Sequence, residues 1–199
     1  ENLNNLDYDQ YIMGLYTGYM INWKKLSAKT GLRLERTWND GHSKTSGINT
    51  DFTNRLFNLV PYITFSYMPK QGRAIKLSYT QRLSRPGIRY LNPYVDNSDS
   101  LNISYGNPML KSEISHSFEL GYTYFTPKFN FSASSTSSFG NKSIERISRV
   151  ESNGATVSTY ENVGKAQRYG LNFYGSYIPS AKLNIYLNGG INYSKLEAN

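Results

Sequence analysis

Hydrophobic and polar residues alternate along most of this chain with a period of two. From Glu113 to Tyr124, every second residue is apolar or aromatic except one histidine, and the residues between are Ser, Thr, Gly and Glu. A period of two is the repeat of a β-strand whose two faces meet different surroundings. The sequence therefore predicts strands with one apolar face and one polar face.

Eight segments follow this pattern, and no segment shows a convincing helical period. The predicted strands are 11–23, 28–38, 56–67, 73–83, 113–125, 129–150, 155–178 and 182–193. Soluble strands average about 5–6 residues, whereas a strand that crosses a bilayer needs about 9–11. All eight segments are long enough to cross, which favours a membrane-spanning sheet.

The connections between these strands alternate between short and long. The short ones are Trp23–Ser27, Met68–Gly72, Thr126–Lys128 and Pro179–Lys182, and the long ones are Asn39–Arg55 and Ser84–Ser112. The connection after the sixth strand is a compact turn at 151–154 between two very long strands, which lift it clear of a membrane. Short periplasmic turns opposite long external loops are typical of an antiparallel up-and-down outer-membrane barrel.

Aromatic residues gather near the ends of the predicted strands. Trp23, Tyr67, Phe125, Phe129 and Tyr177 lie beside short turns, and Trp38 lies beside a long loop. Such rings form girdles where hydrocarbon meets water. This distribution supports a transmembrane β-barrel.

Composition changes this picture little. The mean hydropathy of −0.57 is typical of a soluble protein, but the apolar and polar residues of alternating membrane strands also average to a polar value. The sequence has no cysteine, which excludes a disulfide scaffold and a thiolate metal site. Its net charge of +8 comes from scattered basic residues, so no nucleic-acid partner is predicted.

Candidate chemistry is sparse. The only histidines, His42 and His116, lie in different elements, and a metal site needs several convergent ligands. Glu113 and Glu119 share one strand face but stand about 20 Å apart, beyond the roughly 5–10 Å of paired carboxylate catalysis. No nucleophile motif appears. We therefore expect neither an enzyme nor a bound cofactor or metal.

Three spaced motifs carry a family resemblance. The segment 77–86 reads LSYTQRLSRP and is followed by LNPY at 91–94, then by GNPML at 106–110 and SFELGY at 117–122. In this order the motifs resemble the TonB-dependent receptors of Bacteroidetes-type bacteria, in the outer-membrane β-barrel family. One departure is Lys111-Ser112-Glu113, where the family usually has a proline before the glutamate.

The resemblance implies a large barrel, usually of 22 strands, that is filled by an N-terminal plug. On that basis the whole chain, 1–199, is expected to be one barrel segment of about eight strands, without plug, signal peptide or the barrel's C-terminal end. The implied function is uptake of a nutrient such as a siderophore, glycan or peptide across the bacterial outer membrane. The implied partners are outer-membrane lipid, the small nutrient and the TonB complex, reached through the plug. A surface lipoprotein partner is left open.

The motif residues are expected to shape an external loop over the barrel entrance. They are Arg82, Arg85, Pro86, Asn92, Pro93, Gly106, Asn107, Pro108, Glu113 and Glu119. Proline stops a strand, and arginine can satisfy carboxylates or carbonyls of a loop. A clamp for a phosphate or carboxylate ligand is the competing interpretation of the arginines. No substrate-binding residue is assigned.

Two alternatives remain from the sequence. A soluble, secreted β-sandwich or barrel that binds carbohydrate through exposed Tyr and Trp would show the same alternation. The eight strands could also close as a small complete barrel. Solubility without detergent would distinguish the soluble alternative.

Overall fold

The computed structural model describes residues 4–45 and 48–198, and these form an almost purely β structure. Its strands are β1 (Asn4–Trp23), β2 (Leu26–Thr45), β3 (Ile48–Tyr67), β4 (Arg73–Ser84), β5 (Asp96–Asp99), β6 (Asn102–Ser104), β7 (Glu113–Phe125), β8 (Phe129–Val150), β9 (Thr156–Ser180) and β10 (Leu183–Ala198). Each predicted strand corresponds to one of the eight long strands. The short strands β5 and β6 were not predicted.

The eight long strands form one antiparallel sheet in chain order. Each pairs with its neighbours along the chain, with β7 following β4 because β5 and β6 lie in the connection between them. The predicted all-β, up-and-down arrangement is therefore confirmed. Among the described residues β1 does not pair with β10, so the sheet stays open and the small closed barrel does not form.

The expectation of a long loop at Asn39–Arg55 is wrong. β2 continues to Thr45 and β3 starts at Ile48, so the two strands form a tall hairpin whose tip, 46–47, lies outside the described residues. Asn39 stands opposite Asn54 in this hairpin, and Arg55 Nη2 lies 2.6 Å from Asp40 Oδ1. The strands continue because their backbone ladder does not depend on apolar side chains.

The outward face of the sheet carries an apolar belt. On β1 the side chains of Met13, Leu15 and Tyr19 are 68%, 65% and 67% exposed. The belt on this strand runs from Trp23 to Tyr11, which is about 40 Å of strand and about 28 Å of height at a tilt of about 45°. This height matches the apolar band of about 25 Å in outer-membrane barrels.

Above the belt the outward face becomes polar. Beyond Trp38, the outward residues of β2 are Asp40, His42 and Lys44. No second sheet covers the apolar face in the described part of the chain, so the soluble sandwich alternative does not fit. The belt is suited to lipid, and the polar face of the sheet is the inner face.

The buried apolar core is small and lies on the inner face. Phe52 of β3 packs with Leu91 and Leu110 of the β4–β7 connection, and partly buried side chains surround them: Leu6, Tyr8, Ile144 and Tyr160. The expectation of no helix is corrected by a single turn, α1 (Ile88–Leu91), whose Leu91 is fully buried. Four residues are too few to show a helical period. No helix among the described residues has the length and apolar character to span a membrane.

Candidate functional site

The connection between β4 and β7, residues 85–112, crosses the upper end of the sheet, and we call it the strap. It contains α1, β5 and β6. β6 pairs in parallel with β9, with Asn102 opposite Thr156 and Ser104 opposite Ser158. Because β8 already occupies one edge of this part of β9, the strap has taken the other edge. It therefore passes over β7, β8 and β9 on the inner side.

The first end of the strap is held by a buried carboxylate. Glu35 of β2 has no exposed side-chain surface, and its carboxylate pairs with Arg33 on the same strand and with Arg85 at the start of the strap. Arg85 Nε donates to Glu35 Oε1 at 2.6 Å. The arginine motif therefore meets a carboxylate of the barrel wall, whereas the sequence suggested a partner in the loop itself.

The second end is held by side-chain amides. Asn54 Nδ2 donates to the backbone carbonyl oxygens of Pro108 at 2.7 Å and Leu110 at 2.8 Å. Asn54 Oδ1 accepts from Asn39 Nδ2, and Asn39 Oδ1 accepts from Gln10 Nε2, at 3.1 and 2.9 Å. A chain of three amides on β1, β2 and β3 thus ends on the strap.

The same end is also tied to the opposite wall. Asn107 Nδ2 donates to the carbonyl oxygen of Tyr160 at 2.9 Å. Lys111 N donates to Asn162 Oδ1 at 2.8 Å, and Asn162 Nδ2 donates back to Lys111 O at 3.0 Å. Glu113 Oε1, just after the strap, accepts from Ile144 N at 2.6 Å. These bonds join the strap to β8 and β9.

The remaining motif residues shape the strap from within. Gly106 N donates to Asn92 O at 2.8 Å, and Asn107 N donates to Tyr90 O at 2.6 Å. A Cβ at Gly106 would collide with these two carbonyl oxygens, so only glycine fits there. Pro86 is fully buried, whereas Pro93 and Pro108 are half-buried.

The structure does not bring all ten motif residues together. Arg82 lies on the inner face of β4 and has no ion-pair partner among the described residues. Glu119 lies lower on β7, where its Oε1 is 3.7 Å from Lys76 Nζ. Sequence reasoning missed Gln10, Asn39 and Asn54, although their polar character on alternate positions was visible.

Titratable groups form no metal-binding cluster in the part of the chain that the structure describes. His116 Nδ1 lies 2.8 Å from Tyr79 Oη on the outward face, far along the chain from His42. His42 Nδ1 lies 2.8 Å from Asp51 Oδ1 above the belt, and this hydrogen bond raises the pKa of the histidine. In β5, hydrogen bonds from Ser98 lower the pKa of Asp96.

Solved structures of receptors and transporters share this fold. The FrpB iron transporter from Neisseria meningitidis (F3-3 variant) matches at a TM-score of 0.66 and 17% identity, over 98% of this chain and 27% of its own. The ferric yersiniabactin uptake receptor FyuA from Yersinia pestis matches at a TM-score of 0.67 and 13% identity, over 98% of this chain and 28% of its own. A double mutant of the Serratia marcescens hemophore receptor HasR, solved in complex with its hemophore HasA and heme, matches at a TM-score of 0.66 and 15% identity. The match covers 92% of this chain and 34% of the receptor.

The chain therefore spans about a third or less of the length of these structures. A comparison with curated proteins finds no match. The sequence profile of the outer membrane protein beta-barrel family matches residues 1–199, the whole chain. The chain belongs to the outer membrane protein beta-barrel family and is a protein of the bacterial outer membrane.

Proposed function

We propose that residues 1–199 are a wall segment and entrance strap of a TonB-dependent outer-membrane transporter. The observation that carries this proposal is the strap, which is tied to β2 and β3 at one side and to β8 and β9 at the other. A solute-conducting barrel needs such a structured entrance, whereas a barrel that only anchors in the membrane does not. The solute class proposed is a scarce nutrient: a siderophore, a glycan or a peptide.

The motif residues have a structural role in this proposal. Arg85 and Glu113 fix the two ends of the strap, while Asn92, Gly106 and Asn107 set its internal bonds. The apolar belt faces outer-membrane lipid, and the polar inner face borders the path of the nutrient. The chain has no catalytic role.

The wider protein is proposed to have 22 strands and a plug, through which the TonB complex of the inner membrane acts. A surface lipoprotein is a further proposed partner above the strap. The three sequence motifs support an origin in Bacteroidetes-type bacteria. These proposals rest on the resemblance of the motifs and on the shared fold.

Growth of a deletion strain tests the function. The strain is grown on a panel of siderophores, glycans and peptides, each as the sole source of iron or carbon, and compared with a strain that lacks TonB. We expect at least one nutrient on which both strains fail and on which the full-length gene restores growth. Wild-type growth of the deletion strain on the whole panel, or the protein in the cytoplasmic fraction, would refute the proposal.

A further inference from the structure

Four arginines on the inner side of the sheet and strap have no partner within the described part of the chain. Other arginines on this face are neutralised, since Glu35 pairs with Arg33 and Arg85. In contrast, four arginine side chains make no hydrogen bond or ion pair with any residue of 4–45 and 48–198. They are Arg82, Arg89, Arg146 and Arg168. A free guanidinium matches the planar geometry of a carboxylate or phosphate.

Two of these arginines line an outer cavity of about 240 Å³. Arg89 comes from α1 of the strap and Arg146 from β8, and the rest of the lining is polar or aromatic and includes Tyr94 and Tyr105. The one carboxylate in the lining is Asp96, which already accepts hydrogen bonds from Ser98 N and Oγ at 3.1 and 2.7 Å. The cavity therefore presents more positive than negative charge.

The other two arginines line an inner cavity of about 380 Å³. Arg82 comes from β4 and Arg168 from β9, and the lining also includes Ser84 and Ser115. Its one carboxylate is Glu113, whose Oε1 accepts from Ile144 N at 2.6 Å. This cavity also has two free guanidinium groups and one engaged carboxylate.

The two cavities follow one another along β9. Tyr160 lines the outer cavity and Arg168 lines the inner one, on the same face of the strand, about 26 Å apart at about 3.3 Å per residue. The strap contacts β9 between them, through Lys111 and Asn162. The arginine pairs thus lie at two successive levels, one above this contact and one below it.

We propose that the two arginine pairs are successive binding sites for an anionic solute that carries carboxylate or phosphate groups. The inference rests on the proposed transport function and names the charge class of its substrate. An anion that enters the mouth meets Arg89 and Arg146 first, and then Arg82 and Arg168. Unpaired positive charge at both levels attracts the solute and keeps it on one path along β9.

Binding to the full-length protein in detergent tests this proposal. Equilibrium dialysis measures citrate and inorganic phosphate, with maltose as a neutral comparison, against wild type and the variants R89Q/R146Q and R82Q/R168Q. The matched control is R149Q, because Arg149 also lies on β8 but pairs with Glu161 at 3.6 Å. A heat-dependent gel shift checks that each variant is folded.

We expect saturable binding of citrate, of phosphate or of both, and none of maltose. Each arginine-pair variant should weaken that binding at least about tenfold, because each loses charge-assisted hydrogen bonds, whereas R149Q should stay within about twofold. If a paired variant misfolds, the single substitutions R89Q and R168Q replace it. Binding of citrate alone would show that the sites take carboxylate groups, and binding of phosphate alone would show that they take phosphate groups.

Several results would overturn the inference. The inference fails if citrate and phosphate bind no more tightly than maltose. It also fails if neither R89Q/R146Q nor R82Q/R168Q changes the binding of the anions. A third contrary result is that the wild type binds no anion and the arginine variants lose the heat-dependent gel shift. The arginines would then stabilise the fold through contacts with the rest of the protein. A growth defect of the deletion strain without anion binding refutes this inference alone. Anion binding without any growth defect refutes the transport function and leaves the anion sites.

Discussion

The buried ion pair between Glu35 and Arg85 predicts how firmly the strap is held. Removing one partner of a buried pair costs about 3–5 kcal/mol. The side chains of Arg33 and Arg85 are 34% and 27% exposed, so water screens part of the freed charge. We therefore expect Glu35→Gln to weaken the attachment of the strap by about 2 kcal/mol.

Hydrogen exchange of the strap amides measures this loss. The backbone N–H groups of Tyr90 and Asn92 donate to Gly87 O and Ile88 O, close to Arg85, and report opening of this end of the strap. A loss of about 2 kcal/mol raises the opening equilibrium about 30-fold, and the exchange rates should rise by the same factor. Amides in the middle of β7 should not change.

Glu119→Gln is the matched control for this experiment. It makes the same chemical change on the inner face, but Glu119 and Lys76 are 41% and 49% exposed and 3.7 Å apart. Such a pair contributes about 0–1 kcal/mol, so strap exchange should stay at the wild-type rate. Unchanged strap exchange in Glu35→Gln, or equal acceleration in Glu119→Gln, would show that Glu35 does not hold the strap.

Three further predictions concern single sites. Asn54→Ala removes the donor of two strap carbonyls and should weaken the strap by about 1–3 kcal/mol, measured by exchange at its second end; unchanged exchange there would contradict the amide anchor. Gly106→Ala should lower the yield of folded, heat-shifted protein, whereas Gly87→Ala, which has open space around it, should not; equal yields would contradict the steric argument. The pKa of His42, followed by NMR, should lie above its ordinary value and return to it in Asp51→Asn. Because the raised pKa belongs to the folded state, this contact stabilises the hairpin below the ordinary pKa and is lost as the pH rises through the raised one; an ordinary pKa in wild type would show that the pair does not form.

Strand positions could be predicted where lipid and water face opposite sides of the sheet. β7 and β8 begin and end at the predicted residues. Along β7 and the part of β8 that pairs with it, residues alternate between two solvents. The hairpin of β2 and β3 was missed above Trp38, where water meets the outward face. Asp40 outside and Asn39 inside are both polar, so the alternation disappears while the backbone ladder continues.

The site could be predicted only in part, because its contacts are distant in sequence. The motifs marked both ends of the strap, but Arg85 and Glu35 are 50 residues apart, and Asn54 and Leu110 are 56 apart. No local pattern encodes these pairs. They require the sheet to place β2 and β3 across from the strap, which only the full strand order determines.

The distribution of anchors also determines which part of the strap can open. Its ends are held by the buried ion pair and by buried amide bonds, whereas β5 is exposed along its whole length. The middle of the strap is tied to β9 by backbone bonds such as Thr156 N to Leu101 O at 2.8 Å. The free energy of local opening rises with the number of buried contacts. The backbone amides in the middle of the strap should therefore exchange faster than those at its ends in the wild type. Under the proposed transport function, admission of a solute would then require only the residues around β5 and β6 to move, with both ends still attached. Equal exchange along the whole strap would exclude such a partial opening.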